Sequence, residues 1–212
     1  SRLGTGTGHS EAHATRIVEH ALDLGINFID TARAYGTEPA VGKAIRGKRD
    51  SVVISTKSII GNKEWITPSE LADSLNKSLA RLGTDYVDVM NLHGVTADQY
   101  PYCVAELVPE LKRQQAAGKI RFLGITETFG RDPGHRMFET ALPEDHFDVI
   151  MVGFSLLNPS ARDRVFPHTL SRDVGTLIMF AVRRALSRPD ALNELVGSLV
   201  DDGSLDEGLD RN

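Results

Sequence analysis

Short apolar runs alternate with amphipathic segments along nearly all of this 212-residue chain, and that alternation limits the fold more than any other feature. "SRLGTGTG", "INFID", "SVVISTK", "YVDVMNLHG", "KIRFLGI", "FDVIMVGF" and "GTLIMFAV" read as strands, the run Ile26 to Ile29 as a buried one. Between them "SEAHATRIVEHALDLG", "EPAVGKAIRG", "TPSELADSLNKSLARLG", "YCVAELVPELKRQQAAG", "GHRMFETAL" and "SARDRVFPHTLSRD" read as helices, and "RPDALNELVGSLVDDG" follows the last strand. Ser10 is placed to cap the first helix and Gly25 to stop it. Thr67 caps the third, with Pro68 in its first turn, Glu70 completing a capping box, and Leu71, Leu75, Leu79 and Leu82 on one face. Pro109 sits poorly in its helix, and Pro167 is expected to interrupt another. Seven strand–helix units in strict alternation imply a parallel sheet covered by helices, in one domain spanning residues 1–212. An open doubly wound sheet and a closed eight-stranded barrel both satisfy this order. The glycines of "GTGTGH" suggest a dinucleotide fingerprint, but His9 stands where the third glycine belongs, and the fingerprint fails.

Composition narrows the function. A formal charge of −5, with Lys and Arg scattered, argues against nucleic acid or an anionic membrane surface as the main partner. The longest apolar run, Thr176 to Val182, is far short of the roughly 20 residues that span a bilayer. No signal-peptide pattern opens the sequence, and the single cysteine, Cys103, has neither a disulfide partner nor ligands at metal spacing. A cytoplasmic protein without a metal site is the expectation; oligomeric state has no signature.

In a (β/α)8 barrel, chemistry sits where strands end and the following loops begin. The second predicted strand ends on Asp30, with Tyr35 in its loop; the third ends on Lys57; the fourth reaches His93. An acid, a phenol, an ammonium and an imidazole are thus aimed at one mouth. Each alone has an ordinary structural reading, but their shared position on three consecutive strands favours a catalytic set.

The segments "GINFIDTARAYGTEPAVGKAI", "VVISTK", "SLARLGTDYVDVMNLHG" and "GKIRFLGIT" resemble the signature segments of the aldo-keto reductases. The resemblance implies a (β/α)8 TIM-type barrel that uses NADPH, or NADH, without a separate dinucleotide-binding domain. It maps the family's catalytic tetrad onto Asp30, Tyr35, Lys57 and His93. The chemistry agrees: carbonyl reduction needs a hydride at carbon and a proton at oxygen. A phenol can give the proton, a nearby ammonium stabilises the phenolate, a carboxylate holds the ammonium, and a neutral imidazole orients the carbonyl.

The resemblance further implies cofactor contacts from Thr7, Asp30, Thr126, Glu127, Met151, Phe154 and Arg183, with Arg183 (beside Arg184) suited to a pyrophosphate and Phe154 to ring stacking. Thr126 and Glu127 stand where the family commonly has Ser-Asn, and Met151 and Phe154 where it has Gln and Tyr. Trp65 is assigned to the wall of the substrate pocket. The family's eighth strand–helix unit is missing after "SLVDDGSLDEGLDRN", so the sequence is expected to be part of a longer chain. The function implied is an NADPH-dependent oxidoreductase that reduces an aldehyde or ketone, or oxidises a sugar or alcohol, with Tyr35 as general acid. A small carbonyl or sugar compound is the partner. The alternative is a catalytically weak relative that binds nucleotide or serves as a scaffold.

Overall fold

A computed structural model of the chain describes residues 3, 8–61, 64–182, 188–206 and 208. Six strands, β1 (Phe28–Asp30), β2 (Val53–Ile59), β3 (Val87–Val95), β4 (Ile120–Glu127), β5 (Val149–Gly153) and β6 (Gly175–Met179), pair in parallel as one sheet. Their spatial order is their chain order, β1-β2-β3-β4-β5-β6. A doubly wound sheet reverses direction at its switch point, whereas this curled sheet never does, which is the winding of a barrel. The first expected strand, "SRLGTGTG", lies almost entirely outside the described residues.

Helix α1 (Glu11–Asp23) precedes β1, α2 (Glu38–Ala44) lies between β1 and β2, and α3 (Pro68–Leu82) between β2 and β3. Ser10 Oγ accepts from the His13 amide at 3.2 Å, and Gly25 leaves α1 at φ +86°. The capping box at α3 is complete: Thr67 Oγ1 accepts from the Glu70 amide, and the Glu70 carboxylate accepts from the Thr67 amide at 2.8 Å. Leu71, Leu75, Leu79 and Leu82 are all buried and join Ile54, Met90 and Leu92 in the layer between sheet and helices.

The chain between β3 and β4 is helical from Tyr100 to Ala116. It comprises α4 (Tyr100–Tyr102), a π-helical turn (Cys103–Leu107) and α5 (Val108–Ala116). That turn corrects the expectation for Pro109. The proline becomes the second residue of α5, directly after the π-helical turn. Helix α6 (Arg136–Glu144) follows β4. The segment with Pro167 divides at Val165 into α7 (Ala161–Arg164) and α8 (Phe166–Ser171), so the proline again falls in a first turn. Helix α9 (Pro189–Asp201) comes last.

Strand β1 departs from expectation. Ile26 is 54% exposed and Phe28 36%, because β1 is hydrogen-bonded on one side alone among the described strands. At the N-terminal end of the sheet, the buried Asp88 carboxylate accepts from Arg49 Nη2, Arg121 Nη1 and the Ile54 amide, each at 2.8 Å. Both guanidinium groups also lie over the Tyr86 ring, at 3.9 and 4.4 Å from its centroid. Helices α2 and α3 meet through Gly42, where a Cβ would fall 2.6 Å from the Leu82 carbonyl oxygen. Gly42→Ala should therefore destabilise the protein by about 1–3 kcal/mol, measured as a lowered urea midpoint with an unchanged m-value.

Candidate active site

Strand register places the polar residues. Asp30 lies opposite Ser55, Lys57 opposite Asn91, and Ile59 opposite His93. Because side chains alternate with period two, Ser55 and Lys57 share one face of β2, and Asn91 and His93 one face of β3. The Lys57 side chain is wholly buried. Its three N–H groups are matched by three oxygens: Asp30 Oδ1 at 2.6 Å, Asp30 Oδ2 at 2.5 Å and the Thr31 carbonyl at 2.7 Å. Burial pulls the Lys57 ammonium below its ordinary pKa, and the Asp30 carboxylate opposes that pull by charge and hydrogen bonding. Asp30 is held in turn: Ser55 Oγ donates to its Oδ1 at 2.8 Å, and Asn91 Nδ2 donates to Ser55 Oγ at 3.0 Å.

Tyr35 closes a 3-10 turn (Arg33–Tyr35) directly after β1, and Gly36 leaves that turn at φ +66°. The Tyr35 ring centroid is 5.2 Å from Lys57 Nζ and 5.8 Å from the His93 ring, which meets it edge-on at 84°. His93 Nδ1 is buried and has no hydrogen-bond partner among the described residues. Burial first, then the Lys57 charge, pushes the imidazole pKa down to about 4, with Asp30 acting in the opposite direction. At neutral pH the ring is uncharged. An unpartnered buried N–H is costlier than an unpartnered lone pair, so the proton belongs on Nε2. The four residues singled out in the sequence thus stand together at the C-terminal end of β1–β3.

Asp30, Tyr35 and His93 border a cleft of about 700 Å³, with Lys57 buried behind them. Asp30, Tyr35, His93, Thr126, Glu127 and Met151 are on its lining, together with aromatic residues that the sequence reading passed over, Phe28, Phe129 and Phe180. The polar groups of two of the expected cofactor residues are engaged within the protein. Thr126 Oγ1 accepts from the Gly94 amide at 2.7 Å. The fully buried Glu127 carboxylate accepts from the Gly153 amide at 2.7 Å and pairs with His135 Nδ1 at 2.9 Å, while His135 Nε2 meets Ser160 Oγ at 2.9 Å. Burial pushes the Glu127 carboxyl pKa up against those hydrogen bonds.

Phe154 stands off the cleft lining, packed edge-on against Phe166 at 5.1 Å. Phe129 instead lies over Gly153, where a Cβ would come within 2.3 Å of the ring, and its neighbours are His135 at 5.7 Å and Phe180 at 5.6 Å. Trp65 packs on Tyr102 at 5.1 Å, also off the lining. Thr7 and Arg183 lie outside the described residues.

Ser55 and Asn91 had a legible signal, polar residues two positions before Lys57 and His93 on apolar strands. Phe129 and Phe180 had none, because loop geometry decides where they point. For His93, imidazole ¹⁵N shifts should report a neutral ring at pH 5 and half-protonation near pH 4. The unfolded chain accepts that proton near pH 6.5. His93 therefore contributes its full stabilisation above pH 6.5 and loses it as the pH falls toward 4, and His93→Phe should show a shallower loss of stability across that interval.

Residues 1–190 match the model of the aldo/keto reductase family. Aldo-keto reductase YhdN of Bacillus subtilis is 29% identical over 208 residues, covering 88% of this chain and 60% of that one. The NADH-specific methylglyoxal reductase of Escherichia coli is 28% identical over 173 residues, covering 73% and 51%. The structure of an aldo-keto reductase from Bacillus halodurans in its holo form superposes with a TM-score of 0.68 at 29% identity, over 84% of this chain and 57% of that one. The chain spans about half the length of the curated relatives it matches. With its in-order parallel sheet and with Asp30, Tyr35, Lys57 and His93 gathered at one end, the chain belongs to the aldo/keto reductase family.

Proposed function

We propose that this chain carries the catalytic centre of an NADPH-dependent oxidoreductase that reduces a small aldehyde or ketone, with Tyr35 as the proton donor. The observation that carries the reading is the buried Lys57 ammonium, saturated by Asp30 and Thr31 and lying 5.2 Å from the Tyr35 ring. A phenol ordinarily keeps its proton at neutral pH. A fixed cation beside it stabilises the phenolate left when that proton moves to a developing alkoxide. Asp30 keeps the cation charged in a place where desolvation works against it. His93, neutral with its proton on Nε2, donates a hydrogen bond to the carbonyl oxygen and fixes its distance from Tyr35.

A nicotinamide cofactor supplies the hydride when bound. The cleft fits such a ring by size and by its apolar wall, with Met151, Leu177 and Phe180 as the residues that would flank it. NADPH is the cofactor favoured; a relative named for NADH specificity keeps NADH within the same chemistry. Sugar or alcohol oxidation is the same step in reverse. A second reading, a weakly catalytic nucleotide-binding relative, draws on one observation: the Glu127 carboxylate is spent on Gly153 and His135.

Tyr35→Phe should lower turnover of a generic aldehyde by roughly 100-fold or more while cofactor affinity stays within a factor of two, by steady-state kinetics and fluorescence titration. Near-parental turnover in that variant would overturn the assignment, and tight nucleotide binding without turnover in the parent would establish the second reading. Lys57→Met should displace the pH–rate profile, because the phenolate loses its cation; an unmoved profile would remove Lys57 from the mechanism.

A further inference from the structure

Strand β3 carries one residue more than β4 beside His93. The ladder pairs Leu92 with Ile125 and next Val95 with Glu127, a step of three residues on β3 against two on β4. The surplus is a bulge that contains His93 and Gly94. Gly94 adopts φ +67°, a left-handed conformation that a side chain would strain. A bulge takes backbone groups out of the ladder, and those of Gly94 are taken up by two side chains, one near the end of β4 and one just past it. Thr126 Oγ1 accepts from the Gly94 N–H at 2.7 Å, and Thr128 Oγ1 donates to the Gly94 carbonyl at 2.5 Å. Two hydroxyls, one accepting and one donating, thus grip both polar atoms of the single residue that follows His93.

That grip matters because it fixes the backbone directly beside the His93 side chain. On the β2 side its backbone is in register with Ile59. Among the described residues its Nδ1 has no partner, and its ring meets Tyr35 edge-on. We propose that Thr126 and Thr128 are positioning residues that hold Gly94 in its left-handed bulge and so aim the His93 ring at the cleft. The kinetic consequence rests on the reductase reading; the geometric one does not. Thr126, expected in the sequence to touch the cofactor, acts in this account through the protein's own backbone.

Threonine and valine are nearly isosteric, whereas serine keeps the hydroxyl and drops the methyl group. The test takes the full chain as Thr126→Val, Thr128→Val, Thr126→Ser and Thr128→Ser. Ring ¹⁵N and ¹³C shifts of His93 are recorded without cofactor, and kcat and KM are measured for a generic aldehyde. The valine variants should move and broaden the His93 ring resonances. They should lower kcat by roughly 10- to 100-fold, the range a misplacement of about 1 Å can produce, with a smaller change in KM. The serine variants should restore both.

Unmoved His93 resonances in a folded valine variant would overturn the proposal. So would a Thr126→Val variant that loses cofactor affinity while His93 stays in place, since Thr126 would then belong to the cofactor. Thr128 is only half-buried, so Thr128→Val decides the matter if Thr126→Val fails to fold. If the parent protein shows no turnover at all, the reductase reading fails while the His93 resonances still test the clamp.

Discussion

A lysine side chain with no solvent exposure is the constraint around which this molecule is arranged. An ammonium taken out of water costs several kcal/mol unless its donors are met, and here three N–H groups meet three oxygens. Two of those oxygens belong to Asp30, the last residue of β1, and the third to Thr31, whose own amide donates to the Ser55 carbonyl at 2.8 Å. Satisfying Lys57 therefore fixes where β1 ends against β2. The obligation then passes across the sheet, from Asp30 to Ser55 and from Ser55 to Asn91. Asn91 in turn demands Gly124 on β4, where a Cβ would fall 2.2 Å from its Oδ1. One buried charge thus dictates residues on four neighbouring strands.

The opposite end of the sheet has its own buried charge, and the contrast separates stability from chemistry. Asp88, 3% exposed at the side chain, is saturated by Arg49, Arg121 and a backbone amide, and its cations are covered by Tyr86. Asp88 itself lines none of the clefts described, and its cations are spent on holding strands together. Asp30, by comparison, keeps a third of its side chain exposed at the cleft, next to a phenol and a neutral imidazole. Both carboxylates tie strands together, but only the second leaves the charge it holds within reach of a bound molecule.

What was legible in the sequence follows from the range of the forces involved. Strand and helix periods are local, so the order of elements could be read directly, as could the capping box of Thr67 and Glu70. The gathering of Asp30, Tyr35, Lys57 and His93 was legible because a parallel sheet sends every strand end to one side. Errors arose where a distant partner or a backbone distortion decided the outcome. The π-helical turn makes Pro109 the second residue of α5. Ile26 and Phe28 are exposed despite an apolar run, since among the described strands β1 pairs with β2 alone. Phe154 and Phe129 are both loop-adjacent aromatics, and only the bare backbone of Gly153 makes room for Phe129 over β5.

Glu127 shows how a buried carboxyl is accommodated beside the cleft. A carboxyl with no solvent exposure must find donors, and β5 supplies one through the Gly153 amide. The other is the ring of His135, itself fully buried and held at φ +61°. A bulky residue takes that conformation only where its surroundings over-determine it. The surroundings here are Glu127 on one ring nitrogen, Ser160 on the other, and the Phe129 ring stacked at 24°. The same contacts that satisfy the carboxyl therefore seat Phe129 against Gly153 and shape the cleft wall. At the end of β4, Glu127 takes the Gly153 amide of β5 and Thr126 the Gly94 amide of β3, so two residues on the cleft lining also tie β4 to both of its neighbours.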